Sequence, residues 1–319
     1  MTTFGDMVYE FGGAPISGRR FSNPWATHYF VDYDNGSASN GGKRPDDAMQ
    51  TITQAVALAT GGDVIYVAPR AYQLGQGFRR YQEDVSVTLG GSGGSGVVAT
   101  NANISIIGIT PCHYPQDFLG VRWKHSTGPH LTVDAPALHL ENIGFFGEGA
   151  SNYIINLRNN GATRTQEGTT GFSAYNCAFK GDVPLYGNGA NELQIVKCRF
   201  QAKYDGTMGG INLVGSSNQV VRPIIANCDF IGGNANNMSQ AGIRGAAPWY
   251  SAVIRDIYFS EETDTGEYIT ITGSSNTGVV ANIYCASADI GTDSLVTGGI
   301  EVAAAYDDAG LQDNADGGS

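Results

Sequence analysis

The chain of 319 residues is poor in charge: only 15% of its residues are Asp, Glu, Lys or Arg, against about 25% in an ordinary globular domain. The shortage is sharpest for basic residues near the C-terminus. From Asp256 to Ser319 there are twelve acids and no Lys or Arg, whereas the preceding residues carry eighteen of each sign, so the whole net charge of −12 lies in the last fifth. Such an end repels phosphate backbones, and nucleic acid is not an expected partner. No apolar run approaches the roughly 18 to 20 residues of a membrane span, so no membrane partner is expected. Asp6 and Glu10 stand where a secretory leader would be basic and then apolar, so none is expected. The five cysteines (Cys112, Cys177, Cys198, Cys228, Cys285) are odd in number and lack CxxC spacing. That excludes a disulfide framework or zinc site and predicts buried, reduced thiols made in a reducing cytoplasm. None of the five histidines has HExxH or HxH spacing, the Asp32, Asp34, Asp46 and Asp47 group lacks the DxDxDG pattern of a calcium loop, and the GGSGGSG stretch lacks the Lys-Ser/Thr of a phosphate loop. Neither a metal nor a cofactor is expected.

What is abundant is glycine, with 45 residues, and aromatics, with 16 Tyr, 13 Phe and 3 Trp. Low charge, frequent Val, Ile, Thr and Asn, and many turn-formers predict an all-β chain with a sizeable core. Within it, LENIGFFG, AYNCAFKG, IVKCRFQA, IANCDFIG, IRDIYFSE and VANIYCAS repeat one pattern: a polar turn-former, then apolar, any, apolar. The turn-formers are Asn142, Asn176, Lys197, Asn227, Asp256 and Asn282, at intervals of 34, 21, 30, 29 and 26 residues. ISIIGITP, with Gly108 in the corresponding place, begins the series.

Alternate residues of a strand face one side, so the first and third positions after each turn-former point together. The first column is Ile143, Cys177, Cys198, Cys228, Ile257 and Ile283; the third is Phe145, Phe179, Phe200, Phe230, Phe259 and Cys285. Stacked as parallel rungs about 4.8 Å apart, these become two internal ladders. Asn and Asp tolerate the left-handed region that such corners need, and Lys197 is the exception, marking either a different turn or a slipped register. Boundaries follow from composition: an N-terminal arm at 1–28, a cap with the first rungs at 29–100, the repeats at 101–303 and an acidic flexible tail at 304–319. Asp46 or Asp47 is expected to cap a helix over Ala48 to Ala59 with Ile52, Ala55, Val56 and Ala59 on one face.

The unit YFVDYDNGSASNGGKRPDDAMQTITQAVALATGGDVIYVAPRAY resembles the N-terminal cap of right-handed parallel β-helix proteins of the pectate-lyase-like superfamily. Val31, Asp32, Gly36, Gly41, Thr51, Ile52, Gly62, Asp63, Ile65, Val67, Pro69 and Tyr72 match that pattern; Arg70 departs from it, standing where the family has glycine. The resemblance implies a right-handed parallel β-helix with a short N-terminal capping helix and an extended arm.

The fold hosts many activities. A polysaccharide lyase or glycoside hydrolase of this class needs carboxylates held together across a strand face, or an Arg or Lys base with calcium. Outward acids that could serve are Asp182, Glu192, Asp205 and Asp229, but Asp182 follows Phe179 by three residues while Asp229 precedes Phe230 by one. They fall in different columns, so Asp182, Asp205 and Asp229 are weak catalytic candidates. Arg199 and Arg222 suit surface ion pairs better than lyase chemistry. Trp249 and Tyr250 form the best candidate platform for a sugar.

A capped solenoid with an arm, reduced cysteines and no catalytic constellation resembles single-chain β-helical phage virion proteins: capsid decorations, head fibres and tailspikes. The resemblance implies a structural role in the virion after synthesis in the host cytoplasm, with the arm bound to other capsid or tail proteins through Met7, Val8, Tyr9 and Phe11. About seven rungs, roughly 35 Å tall, suit a compact knob. A homotrimer joined through Tyr175, Tyr258 and Tyr284 and contact with a host-surface glycan are further expectations. The alternatives are a polysaccharide-degrading lyase or hydrolase and a glycan-binding adhesion module.

Overall fold

A computed structural model of the chain describes residues 10–11, 14–15, 26–70, 81–83, 87–89, 102–110, 120–147, 153–157, 170–187, 190–202, 210–213, 219–231, 242–246, 248–260, 268–272, 276–285, 296–297, 301–302, 305–306 and 312–313. It is mostly β. Seventeen strands join one long sheet, eight a second and three a third. Among the described residues pairing is parallel throughout, apart from Glu10–Phe11 against Ala14–Pro15 and Ala305–Tyr306 against Gln312–Asp313. A pass of the chain crosses the long sheet and then adds one strand to the second: His139–Glu141, Ile143–Gly147 and Tyr153–Leu157 make up one such pass, and in later passes one continuous strand such as Ile224–Ile231 makes the whole crossing. Eight strands in the second sheet leave seven spacings of about 4.8 Å, a stack roughly 34 Å tall.

The corners of each pass are set by backbone conformation. Asn142, Asn176, Lys197, Asn227, Asp256 and Asn282 all have φ between 52° and 57°. Lys197, at 55°, is therefore in the same left-handed turn as its neighbours, and the register does not slip there. A second column lies five residues upstream: Asn103, Ala137, Gly171, Glu192, Arg222 and Ser251, all with positive φ. Amides along both columns bond to the next rung, as from Ala137 to the Thr170 carbonyl at 2.7 Å and from Asn176 to the Val196 carbonyl at 3.0 Å. Side chains add to the first column: Asn176 donates to Asn142 Oδ1 at 2.7 Å and Asn282 to Asp256 Oδ1 at 2.9 Å. The sequence shows the second column poorly, because Ala, Glu and Arg carry no turn signature.

Inside, the strand register places Trp123, Phe145, Phe179, Phe200, Phe230, Phe259 and Cys285 in one line. Phe145 through Phe259 stack with ring centres 4.9 to 5.2 Å apart, an offset arrangement that suits the ring quadrupole. Beside it run Ile143, Cys177, Cys198, Cys228, Ile257 and Ile283, all buried. Gly210 sits so close to this ladder that a Cβ there would lie 2.6 Å from Phe230 and 2.9 Å from Phe200.

One helix, α1 (Ile52–Leu58), buries Ile52, Ala55 and Val56. It is shorter than the expected Ala48 to Ala59, and neither Asp46 nor Asp47 caps it. Thr51 accepts from the Gln54 amide while Gln54 accepts from the Thr51 amide, a reciprocal capping box that fixes the start. The two aspartates lie instead in a short 3₁₀ turn, Pro45–Asp47. Within 304–319, Ala305 and Tyr306 pair with Ile283 and Tyr284.

Candidate functional site

A hollow lies at the corner between the two strand sets of the long sheet. It encloses about 450 Å³ and is lined by Tyr175, Asn176, Lys197, Arg199, Asn227 and Asp229, with Cys177 and Cys198 behind. The left-handed residues Asn176, Lys197 and Asn227 turn the chain on three successive rungs. The residue before the first of them and the residues two positions after the others supply the remaining walls. Lys197 Nζ lies 5.4 Å from the centre of the Tyr175 ring, within cation–π range. Arg199 holds Asp229 across the rung at 2.6 Å, a pairing that the strand register Arg199 to Asp229 dictates. Burial pushes the thiol of Cys198 up and that of Cys228, one rung on, up to about 12, so these sulfurs stay protonated and unreactive.

A second polar surface lies on the outer face of the second sheet. Thr132, Asn156, Tyr186, Asn212, Arg244 and Thr270 line up in register there, between mostly buried aliphatic neighbours. Tyr153 stacks on Tyr186 with ring centres 4.1 Å apart; burial and then the neighbouring Tyr153 raise the Tyr186 phenol pKa. Asn212 is buried, and its Oδ1 has no hydrogen-bond partner among the described residues. The signal was present as the tripeptides VTL, LTV, INL, LYG, INL, IRG and ITI, each a polar or aromatic residue flanked by small or aliphatic ones.

A third group is buried on the outer side of the long sheet. His139 Nδ1 lies 2.9 Å from Ser173 Oγ and Nε2 lies 3.2 Å from Glu141 Oε2, linking neighbouring strands through one imidazole. With all three residues buried, the contacts engage both ring nitrogens and one oxygen of Glu141 on a covered face.

The acids named from the sequence are not brought together. Asp182 is buried between Ala178–Gly181 and Val183–Gly187, Asp229 is engaged by Arg199, Glu192 pairs with Arg222, and Asp205 lies outside the described residues. Trp249 is a correction: it is fully buried in the core cluster, so its indole offers no face to a sugar. Tyr250, its strand neighbour, is half-buried. Phe11 falls in the strand Glu10–Phe11; Met7, Val8 and Tyr9 lie outside the described residues. Tyr258 and Tyr284 are in register and exposed, at 49% and 45%. No helix among the described residues is long and apolar enough to cross a membrane.

No family model and no curated protein matches the chain. Among solved structures it is similar to a rhamnogalacturonan lyase at 15% identity and a TM-score of 0.40, covering 88% of this chain and 66% of that one. The chain thus spans just under two thirds of that structure's length, and a likeness this loose carries nothing about activity.

Proposed function

We propose that the chain is a right-handed parallel β-helix closed at its N-terminal end by α1, and that it is a non-enzymatic structural protein of a phage virion. In this reading it is a capsid decoration, head fibre or short tail spike held by its N-terminal arm and made in the host cytoplasm. The observation that carries the reading is the unbroken aromatic ladder from Phe145 to Phe259. It supports a stiff rod, and the cross-rung pairs Arg199 with Asp229 and Arg222 with Glu192 tie up the polar groups that a hydrolase would use. The exposed Tyr258 and Tyr284 supply an apolar stripe suited to a trimer contact.

Quantitative mass spectrometry of purified virus particles tests this. A fixed ratio to the major capsid protein is expected, tens to hundreds of copies for a decoration and a few for a tail element. Absence from particles, with the protein present in the lysate, overturns the reading and leaves polysaccharide cleavage to be assayed.

A second reading, a glycan-binding module, is favoured by the stacked Tyr153 and Tyr186, aromatic rings of the kind that pack against sugars. Binding of a glycan array that is lost in Tyr186→Ala would support it over a purely structural rod.

A further inference from the structure

We infer that Asn40 is a self-modification site, whose side-chain amide is converted to an acid by attack of the Gly41 backbone nitrogen with Asp47 as the base. Two Asn-Gly dipeptides, Asn35–Gly36 and Asn40–Gly41, lie in the loop between Val31 and Met49, which themselves pair across a single bridge. Glycine after asparagine leaves the attacking nitrogen with no Cβ beside it, so ring closure meets its least steric opposition there. The fold treats the two dipeptides differently.

At Asn35 the reaction is blocked. The Gly36 amide donates to the Asp32 carbonyl at 2.8 Å, and the Asn35 side chain is held by Asp32 Oδ2 at 2.9 Å. Gly36 is also wedged against backbone: a Cβ there would lie 2.3 Å from the Met49 carbonyl oxygen and 2.4 Å from that of Asp32. Its peptide has no room to swing its nitrogen toward the Asn35 amide carbon.

At Asn40 the surroundings favour the step. The Gly41 amide donates to a carboxylate, Asp47 Oδ2, at 3.1 Å, and a carboxylate can take the proton where a carbonyl cannot. Gly41 is exposed, and the nearest atom to a Cβ there is that same oxygen, at 3.1 Å, with no backbone in the way. Asp47 forms no ion pair among the described residues; its neighbour Asp46 is the one that meets Arg44, at 2.9 Å. The nucleophile, the amide and the base are thus held within one loop. The Gly41 proton passes to Asp47 as the nitrogen bonds to Asn40 Cγ; the bond from Cγ to Nδ2 then breaks, and ammonia leaves with the proton that Asp47 returns. Water opens the resulting succinimide at either carbonyl, giving aspartate or isoaspartate at position 40.

The product cannot keep the loop as it was. Asn40 Nδ2 donates to the Ala48 carbonyl at 2.8 Å, and an ionised acid has no proton to give. Its charge would instead face that carbonyl and share the loop with Asp47. The same loop is tied to the strand His28–Val31, through the Phe30 amide to the Gly42 carbonyl at 2.7 Å and the Met49 amide to the Phe30 carbonyl at 2.8 Å. Conversion therefore loosens the N-terminal end of the stack, once and without return. It needs only the chain and water, so it is independent of the virion assignment.

The test follows the full chain at neutral pH over weeks, with peptide mapping that separates asparagine, aspartate and isoaspartate at positions 35 and 40. Position 40 is expected to convert faster in the native chain than in the urea-unfolded one, and position 35 slower. Asp47→Asn leaves an oxygen to accept the Gly41 amide but removes the base, and should slow position 40 by roughly tenfold or more; Asp46→Asn should leave it unchanged. Asn40→Asp should lower Tm. Native conversion at position 40 no faster than in the unfolded chain overturns the inference, and so does an Asp47→Asn variant that converts position 40 at the parent rate. If Asp47→Asn disrupts the loop, conversion at position 35 rises as well, and the native-to-unfolded ratio of the parent decides.

Discussion

Phe179 and Phe200 lie face to face with ring centres 5.0 Å apart and planes within 11° of parallel, each on its own rung of the long sheet. The contact exists because Cys177 and Cys198, two residues before them, lie in the same column, and the backbone amide of Arg199 donates to the Cys177 carbonyl at 2.9 Å. Every ring of the ladder is therefore clamped by two neighbours. Phe200→Ala is expected to cost about 3 to 5 kcal/mol, the range for a buried aromatic whose site collapses poorly. Gly210→Ala, which adds one methyl group against the same rings, should cost about 1 to 3 kcal/mol by overpacking. Urea unfolding monitored by circular dichroism measures both.

Ala137 has φ 59°, and the residue above it in the column is Gly171, at φ 67°. Replacing alanine by glycine usually weakens a protein by loosening the unfolded chain. Here the left-handed backbone reverses the sign: Ala137→Gly should stabilise by about 1 kcal/mol. A fall in the urea midpoint would mean that the corner is not strained.

His130 is buried with Nε2 3.1 Å from the Trp123 carbonyl, between the rings of Trp123 and Phe145. Burial, followed by the neighbouring His125, lowers its pKa to about 3 from 6.5. Between these values the unfolded chain takes up a proton that the folded chain refuses. Stability from this source is therefore intact above pH 6.5, falls with acidification at up to about 1.4 kcal/mol per pH unit, and levels off below about pH 3. Urea midpoints at pH 7, 5.5 and 4.5 should show the fall, and His130→Gln should flatten it.

Cys177, Cys198, Cys228 and Cys285 are buried and free, and burial pushes Cys228 and Cys285 up to about 12. Native protein at pH 8 should leave these four unmodified by iodoacetamide over the time in which the urea-unfolded chain is fully alkylated. Peptide mapping resolves each site. Rapid labelling of Cys198 in the native state would contradict the burial of the column.

The long sheet was legible because its signal is redundant. Asn, Cys and Phe recur at one spacing, and the aligned segments name nearly every residue of both ladders. The second sheet was less legible: its strands contribute only three central residues each, as in INL at 155–157 and 211–213, and lie at irregular distances from the corners. The hollow was legible only in fragments. Lys197 showed as a break in the Asn pattern and Arg199 as a salt-bridge partner, but residues from three rungs form the hollow. Nothing in linear order places Tyr175 beside Lys197. Trp249 misled because an aromatic pair after proline looks exposed, whereas its alternate position turns the indole inward against Gly245, where a Cβ would lie 2.2 Å from Nε1.

The in-register parallel pairing has a mechanical consequence. Strands run across the stack, so the backbone hydrogen bonds point along it, and a pull on its two ends loads the rung-to-rung seams in series. Within a seam the bonds share the force; between seams they do not. Among the described residues, Gly278–Cys285 meets Glu301–Val302 and Ala305–Tyr306 through two residue pairs each and Ala252–Phe259 through seven, and a seam held by more bonds bears more load before it opens. Under tension the seven-pair seam between Ala252–Phe259 and Gly278–Cys285 acts as one zipped unit rather than as separate bonds.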